Sequence, residues 1–211
     1  MFHRLLSLFA VASAIACSTA SGGTVDVVVT DANGKPAANA VVALANDTAQ
    51  PASHVPPRSV IDQQHETFLP LVVLVRKGGE VVFTNNDTTM HQVYSFSAIK
   101  QFQFEIDKGQ VSKPVIFDKA GVAAIGCNIH DNMVAYVFVA DAPYAAITDA
   151  KGTAELHDVP DGAWHASVWH PQSRIGKQPA PTALAVAGDT RLALKIQISA
   201  APAMSRMHKD Y

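Results

Sequence analysis

The sequence GCNIHDNM at residues 126–133 places a thiol, an imidazole and a thioether close together in the chain, at Cys127, His130 and Met133. A second imidazole, His91, lies well upstream in the stretch TMHQ at residues 89–92. Each of these side chains can donate a lone pair to a metal ion, and thiolate and thioether sulfur are soft ligands. The sequence therefore predicts one metal site formed by residues that are far apart in the chain.

Two imidazoles, one thiolate and one weak thioether are the ligand set of blue-copper electron-transfer sites. Zinc is the main competitor, but a structural zinc site is closed by a fourth strong ligand, and a thioether is a poor one. The ligand set therefore predicts a single type 1 copper ion held by His91, Cys127, His130 and Met133. The alternative is a buried Cys and Met in a strand core, with incidental histidines nearby.

The residues on both sides of the ligand loop are typical of strands. Residues 121–125 run into Cys127 with small and β-branched side chains, and residues 134–139 leave Met133 with the sequence VAYVFV. A tight loop between paired strands turns Cys127, His130 and Met133 toward one point, where His91 can meet them. Phe96, Phe102, Phe104 and Phe117 are predicted to supply much of the aromatic core around this site.

Residues from about Arg58 to Ala140 resemble a cupredoxin, and the C-x-x-H-x-x-M loop is similar to the short ligand loop of amicyanin. The flanking sequences NND at residues 85–87, VYSFS at residues 93–97 and YVF at residues 136–138 resemble the bacterial methylamine utilization protein family. The resemblance implies that His91, Cys127, His130 and Met133 bind type 1 copper. The residue after the first histidine is often Asn or Ser in cupredoxins, whereas this chain has Gln92.

The two flanks of this region resemble parts of a second kind of β-domain. The hairpin of residues 23–44, with the turn DANGKP at residues 31–36, is similar to the start of a carboxypeptidase regulatory-like, or transthyretin-like, sandwich. The T-D-x-x-G turn that such domains carry next is found only at residues 148–152, after the cupredoxin-like region. The simplest account is a transthyretin-like domain interrupted by a cupredoxin.

The predicted fold class is therefore all-β, with a cupredoxin Greek-key β-sandwich and a transthyretin-like β-sandwich. The predicted parts are a signal peptide at 1–20, the first part of the transthyretin-like sandwich and a linker at 21–57, the cupredoxin at 58–140, the second part of the sandwich at 141–199, and a disordered tail at 200–211.

The amino terminus indicates the compartment. A short basic start followed by an apolar run over residues 5–16 is typical of a secretory signal peptide and too short for a membrane-spanning helix. Cleavage before Cys17 would give a lipid anchor at that residue, as an alternative to a free periplasmic protein. A net charge of −2 gives no sign of a nucleic-acid partner.

Several histidines lie outside the ligand loop. His54 and His65 are candidates for a second copper or zinc site, although they are more typical of surface polar residues. Met204, Met207 and His208 in the tail suggest copper delivery, because thioethers bind Cu(I), with a solvated tail as the alternative.

These observations predict a periplasmic electron carrier with no enzyme activity of its own. Ile129, Met133 and neighbouring apolar residues are predicted to form a docking patch, with His130 as the electron route at the exposed edge. The family resemblance implies a quinoprotein dehydrogenase as donor, a c-type cytochrome as acceptor and a link to methylamine oxidation. The alternatives are copper storage or delivery without redox cycling, and a structural or binding module with a vestigial site.

Overall fold

The computed structural model describes residues 22–48, 53–173 and 178–199, and these residues form sixteen β-strands and no helix. The predicted all-β fold class is therefore confirmed. The predicted signal peptide, Cys17 and the tail from Ala200 onward lie outside the described residues. Across the described ranges, no helix has the length and apolarity needed to cross a bilayer.

Seven strands from the two flanks of the chain form one β-sandwich, which we name the terminal sandwich. The strands are β1 Gly23–Asp31, β2 Val41–Ala45, β12 Tyr144–Ile147, β13 Thr153–Val159, β14 Gly162–Trp169, β15 Thr182–Val186 and β16 Thr190–Ile196. Its sheets have the strand orders β13-β1-β16 and β12-β2-β14-β15. Strand β1 pairs antiparallel with β13 and parallel with β16, so the first and last described strands are neighbours.

Two aspartates build the predicted turns of the terminal sandwich in the same way. The carboxylate of Asp31 accepts the backbone N–H groups of Asn33 and Lys35, each at 2.8 Å. The carboxylate of Asp149 accepts those of Lys151 and Thr153, at 2.8 and 2.9 Å. These backbone hydrogen bonds hold the pKa of both carboxyl groups below the usual value. Each turn is therefore fixed by one charged side chain that stands in for a missing backbone partner.

Gly152, in the second of these turns, lies in close contact with a neighbouring strand. Its φ is +74°, and an added Cβ would lie 2.5 Å from the backbone oxygen of Val29. Gly34 has a similar φ of +81°, but nothing lies within 4 Å of the corresponding position. We expect Gly152→Ala to lower the free energy of unfolding by about 3 kcal/mol, because left-handed strain and a backbone clash add. Urea unfolding should show only about 1 kcal/mol for the control Gly34→Ala, and equal losses would contradict this account.

Nine strands between the two flanks form a second β-sandwich, which we name the central sandwich. The strands are β3 Arg58–Gln64, β4 Thr67–Leu69, β5 Val72–Arg76, β6 Gly79–Asn85, β7 His91–Ser97, β8 Lys100–Ile106, β9 Val115–Phe117, β10 Gly121–Cys127 and β11 Val134–Ala140. Its sheets have the strand orders β5-β11-β10-β7-β8 and β4-β3-β6-β9. Strand pairs β5/β11 and β3/β6 are parallel.

The prediction of four core phenylalanines holds for Phe117, which is fully buried, and in part for Phe102 and Phe104, which pack partly buried against the core. It is wrong for Phe96, whose side chain is 68% exposed. Successive residues of a strand face opposite sides of the sheet. Because Val93 and Ser95 face the core of the central sandwich, Phe96 faces outward.

The two sandwiches pack against each other through a third apolar cluster. Strands β2 and β5, with the sequences VVALA and VVLVR, are buried on both faces, as continuous apolar runs predict. The ring of Trp169 lies 5.7 Å from the rings of both Tyr136 and Phe138, measured between centroids. The cluster consists of Val41, Ala43, Val55, Val72, Leu74, Ala140 and Ala145.

Candidate metal centre

Two neighbouring strands place the first two predicted ligands on the same face of a sheet. Cys127 is the last residue of β10, and it pairs with Val93 of β7. His91 is the first residue of β7, two positions before Val93, so its side chain points to the same side as that of Cys127. Both are buried, with His91 fully inaccessible and Cys127 4% exposed.

The loop between β10 and β11 brings in the third ligand. The distance from Cys127 Sγ to His91 Nδ1 is 3.8 Å, and the two Nδ1 atoms of His91 and His130 are 3.2 Å apart. One ligand atom from each of these three residues lies within 4.8 Å of the other two. The side chain of His130 is 20% exposed, so one edge of the site faces solvent.

Met133, the fourth predicted ligand, is 2% exposed and belongs to the same apolar cluster as Cys127. Its backbone N–H donates a hydrogen bond of 3.0 Å to the carbonyl of His130, which turns the loop back toward β11. The structure thus brings His91, Cys127 and His130 together and buries Met133 at the base of the loop. The expectation that Met133 is part of a surface patch is wrong.

A buried carboxylate fixes the ring of His91. Asp87 Oδ2 lies 3.2 Å from His91 Nε2 and also accepts the backbone N–H of Glu66 at 2.6 Å. The other oxygen accepts the N–H of Thr88 at 2.8 Å. The Glu66 hydrogen bond, followed by those of Thr88 and His91, holds the pKa of Asp87 below its usual value against the opposing effect of burial. Asp87 is therefore ionised at neutral pH, and it accepts a hydrogen bond from Nε2 of His91.

A second carboxylate lies near the outer nitrogen of His130 at ion-pair distance, because Glu66 Oε1, on a side chain that is 61% exposed, lies 3.6 Å from His130 Nε2. In a neutral imidazole, a carboxylate facing one nitrogen favours the proton on that nitrogen and leaves a lone pair on the other. Both Nε2 atoms thus face carboxylates, while the two Nδ1 atoms face each other and His91 Nδ1 also faces Cys127 Sγ. With Cys127 as a thiolate and the imidazole protons on Nε2, three lone pairs would converge with no hydrogen-bond donor between them, an arrangement that fits a cation.

The chemistry of this donor set fits copper. A thiolate and two imidazoles suit both Cu(I) and Cu(II), and a buried thioether beside them is the weak fourth ligand of blue-copper sites. Carboxylates that hold the outer nitrogen of a metal-binding histidine are common in metalloproteins, and they fix the ring orientation. Asp87 and Glu66 were not predicted from the sequence to support the ligands. Asp87 lies four residues before His91, but a carboxylate at that spacing is common, and Glu66 is distant in sequence from His130.

Gln92 and Gly126 shape the loop from the outer face of the sheet. Gln92 accepts the backbone N–H of Asn128 at 3.1 Å through its carbonyl, and the Asn128 side-chain amide at 2.8 Å through Oε1. A Cβ added at Gly126 would lie 2.6 Å from the ring of Tyr94, which covers the backbone just before Cys127. Gln92 therefore anchors the residue that follows the thiol, and Gly126 leaves room for the ring.

The other histidines that the structure describes form no comparable site. Among the described residues, His91, Cys127 and His130 are the only group of three or more His, Cys, Asp or Glu side chains with converging ligand atoms. His54 instead stacks on Tyr144 with 4.4 Å between ring centroids, and His65 occupies a turn. His170 is buried, which lowers its pKa, and its Nε2 donates to the Ala38 carbonyl at 2.9 Å.

Comparisons with known proteins give structural likenesses only. No protein-family model and no curated protein sequence matches this chain. A purple cupredoxin from Nitrosopumilus maritimus is 22% identical over 39% of this chain and 99% of its own, with a TM-score of 0.35. Amicyanin from Paracoccus versutus is 23% identical over 46% of this chain and 97% of its own, with a TM-score of 0.36. A copper-containing nitrite reductase from Thermus scotoductus is 20% identical over 39% of this chain and 22% of its own, with a TM-score of 0.37.

Proposed function

We propose that this protein is a periplasmic type 1 copper protein that carries single electrons between redox partners. The observation that carries the proposal is the convergence of His91, Cys127 and His130, each of which has a ligand atom within 4.8 Å of those of the other two. A buried thiol beside one buried and one loop imidazole, whose outer nitrogens face carboxylates, is an arrangement suited to binding a metal ion. The sequence resemblance to cupredoxins supports the same proposal.

The four residues have different tasks in this proposal. Copper bound there supplies the one-electron couple. Cys127, as a thiolate, gives the ligand with the strongest covalent character, and buried His91 holds a ring orientation that Asp87 fixes. His130 links the buried thiolate to the solvent edge and is the proposed route for the electron. Met133, buried at the base of the loop, would be the weak fourth ligand and would keep water away from that side of the site.

The surface around His130 supports docking of another protein. Ile129 in the ligand loop is 47% exposed, and Val134, just after the loop, is 42% exposed. Phe96, 68% exposed, lies with Val134 on the wall of a shallow depression that also contains Tyr94. Exposed apolar side chains beside a redox site suit the small, transient interfaces of electron-transfer partners.

We propose a c-type cytochrome and a quinoprotein dehydrogenase as the partner classes, with methylamine oxidation as the process. The motifs flanking the ligand loop support this assignment through their resemblance to the methylamine utilization family. The protein itself would have no enzyme activity, because its ligand set offers no position for a substrate. We also propose that residues 58–140 form a domain inserted into the transthyretin-like sandwich.

Copper loading tests the function directly. The chain without its signal sequence is incubated with Cu(II), and its visible absorption and electron spin resonance spectra are recorded. We expect an intense thiolate-to-copper absorption band with narrow copper hyperfine splitting, together with reversible one-electron reduction. A weak band, or copper retained only as Cu(I), would reject electron transfer and favour copper storage or delivery.

A further inference from the structure

The turn between β3 and β4 has an unusual combination of sequence and conformation. Its two central residues, His65 and Glu66, have φ values of +51° and +54°. Two-residue hairpin turns with two positive φ angles strongly prefer Asn-Gly or a similar pair, because other residues are strained there. A His-Glu pair is therefore a poor choice for the turn itself, and such local conflicts are expected at functional positions.

The turn is held against the metal centre by two contacts. The backbone N–H of Glu66 donates a 2.6 Å hydrogen bond to Asp87 Oδ2, the same oxygen that lies 3.2 Å from His91 Nε2. The carboxylate of Glu66 then reaches His130, with 3.6 Å between Oε1 and Nε2. Glu66 thus contacts both Asp87, which holds the ring of His91, and the ring of His130.

We propose that Glu66 is the positioning residue of His130, placed by the strained turn so that the ring presents Nδ1 to the metal. The inference rests on the metal site of the proposed function. His130 needs such support more than His91 does, because it comes from a loop and is partly exposed, whereas His91 lies buried in a strand. Buried Asp87 supports the inner histidine, and exposed Glu66 supports the outer one.

Two consequences follow from the charge and position of this carboxylate. It fixes the tautomer and orientation of the ring, and loss of such a partner typically weakens metal affinity by about 10- to 100-fold. It also places a negative charge near the metal, which stabilises Cu(II) more than Cu(I). Removing the charge should therefore raise the reduction potential as well as weaken binding.

A turn replacement separates this role from a merely structural one. The double variant His65→Asn/Glu66→Gly keeps the backbone N–H that Asp87 accepts and gives the turn its preferred residues, but it removes the carboxylate. Glu66→Gln removes the charge with little change in shape. Glu155→Gln is the matched control, because Glu155 forms a similar exposed contact of 3.4 Å with His157 in the terminal sandwich.

Each protein is titrated with Zn(II) in competition with a chromophoric chelator, and its thermal unfolding is measured without metal. We expect about tenfold weaker Zn(II) binding for Glu66→Gln and for the double variant, and no change for Glu155→Gln. The double variant should unfold at the same or a higher temperature than the wild type. With copper bound, a tenfold greater loss for Cu(II) than for Cu(I) would raise the potential by about 59 mV.

The two proposals fail in different ways. Wild-type affinity for Zn(II) in both Glu66 variants would overturn the role of Glu66, whatever the copper spectrum shows. Weaker Zn(II) binding in these variants, without an intense copper band in the wild type, would support Glu66 as a positioning residue and reject the electron-transfer function.

Discussion

Cys127→Ser protein is expected to take up Cu(II) without the intense visible absorption band of the wild type. The band requires a thiolate bound to copper, and a serine hydroxyl remains protonated at neutral pH. Cys127 Sγ lies 3.8 Å from His91 Nδ1 and is almost completely buried, so the substitution removes the sulfur from within the ligand group. Absorption and electron spin resonance spectra of the two copper-loaded proteins measure this loss.

Met133→Leu is the matched control, because it keeps the buried volume and removes only the thioether. Since the thioether is a weak, long axial ligand in blue-copper sites, this variant should retain an intense band with an altered potential. Metal-free Cys127→Ser should unfold within about 1 kcal/mol of the wild type, since the two side chains are similar in size. An intense band in Cys127→Ser would mean that the thiol is not the ligand.

The second large effect is expected for Asp87→Asn. Both oxygens of Asp87 are acceptors, for the N–H groups of Glu66 and Thr88 and for His91 Nε2. An amide puts a donor where one oxygen accepts, so at least one buried donor loses its partner. We expect the free energy of unfolding of the metal-free protein to fall by about 3 kcal/mol. Denaturant titration at pH 7 measures this loss.

Metal binding by Asp87→Asn should weaken as well, because the ring of His91 loses the charge that holds its proton on Nε2. The control is Asp118→Asn, which removes the same charge from an exposed position outside the site. It should change neither stability nor affinity beyond about 0.5 kcal/mol. If the two variants behaved alike, Asp87 would contribute only general surface charge.

Much of the strand pattern could be predicted from the sequence, because the apolar residues follow the period of a half-buried strand. In β1, residues 25, 27 and 29 are buried and the residues between them are more exposed, as the sequence TVDVVV predicts. The turns at Asp31 and Asp149 also follow from their residues. Strand β7 has apolar residues on both faces, and periodicity does not show which face packs against the core. The prediction that Phe96 is buried is wrong for this reason.

The site was predictable to the extent that its ligands are recognisable by type. A Cys, a His and a Met in one short loop restrict the kind of metal and the geometry of the site. His91 is the nearest histidine before this loop in the sequence. Asp87 and Glu66 could not be predicted, because carboxylates are common on surfaces and their function depends on distances to His91 and His130. Those distances arise from the pairing of β3 with β4 and from the turn before β7, which the sequence does not specify residue by residue.

The apolar contact between the sandwiches has a consequence for the evolution of this chain. Val72 and Leu74 of β5, with Tyr136 and Phe138 of β11, face the terminal sandwich rather than solvent. A free-standing carrier derived from residues 58–140 would have to acquire polar residues on that face to remain monomeric. Replacing either sandwich by a foreign counterpart would likewise require matching changes on the other side of the contact.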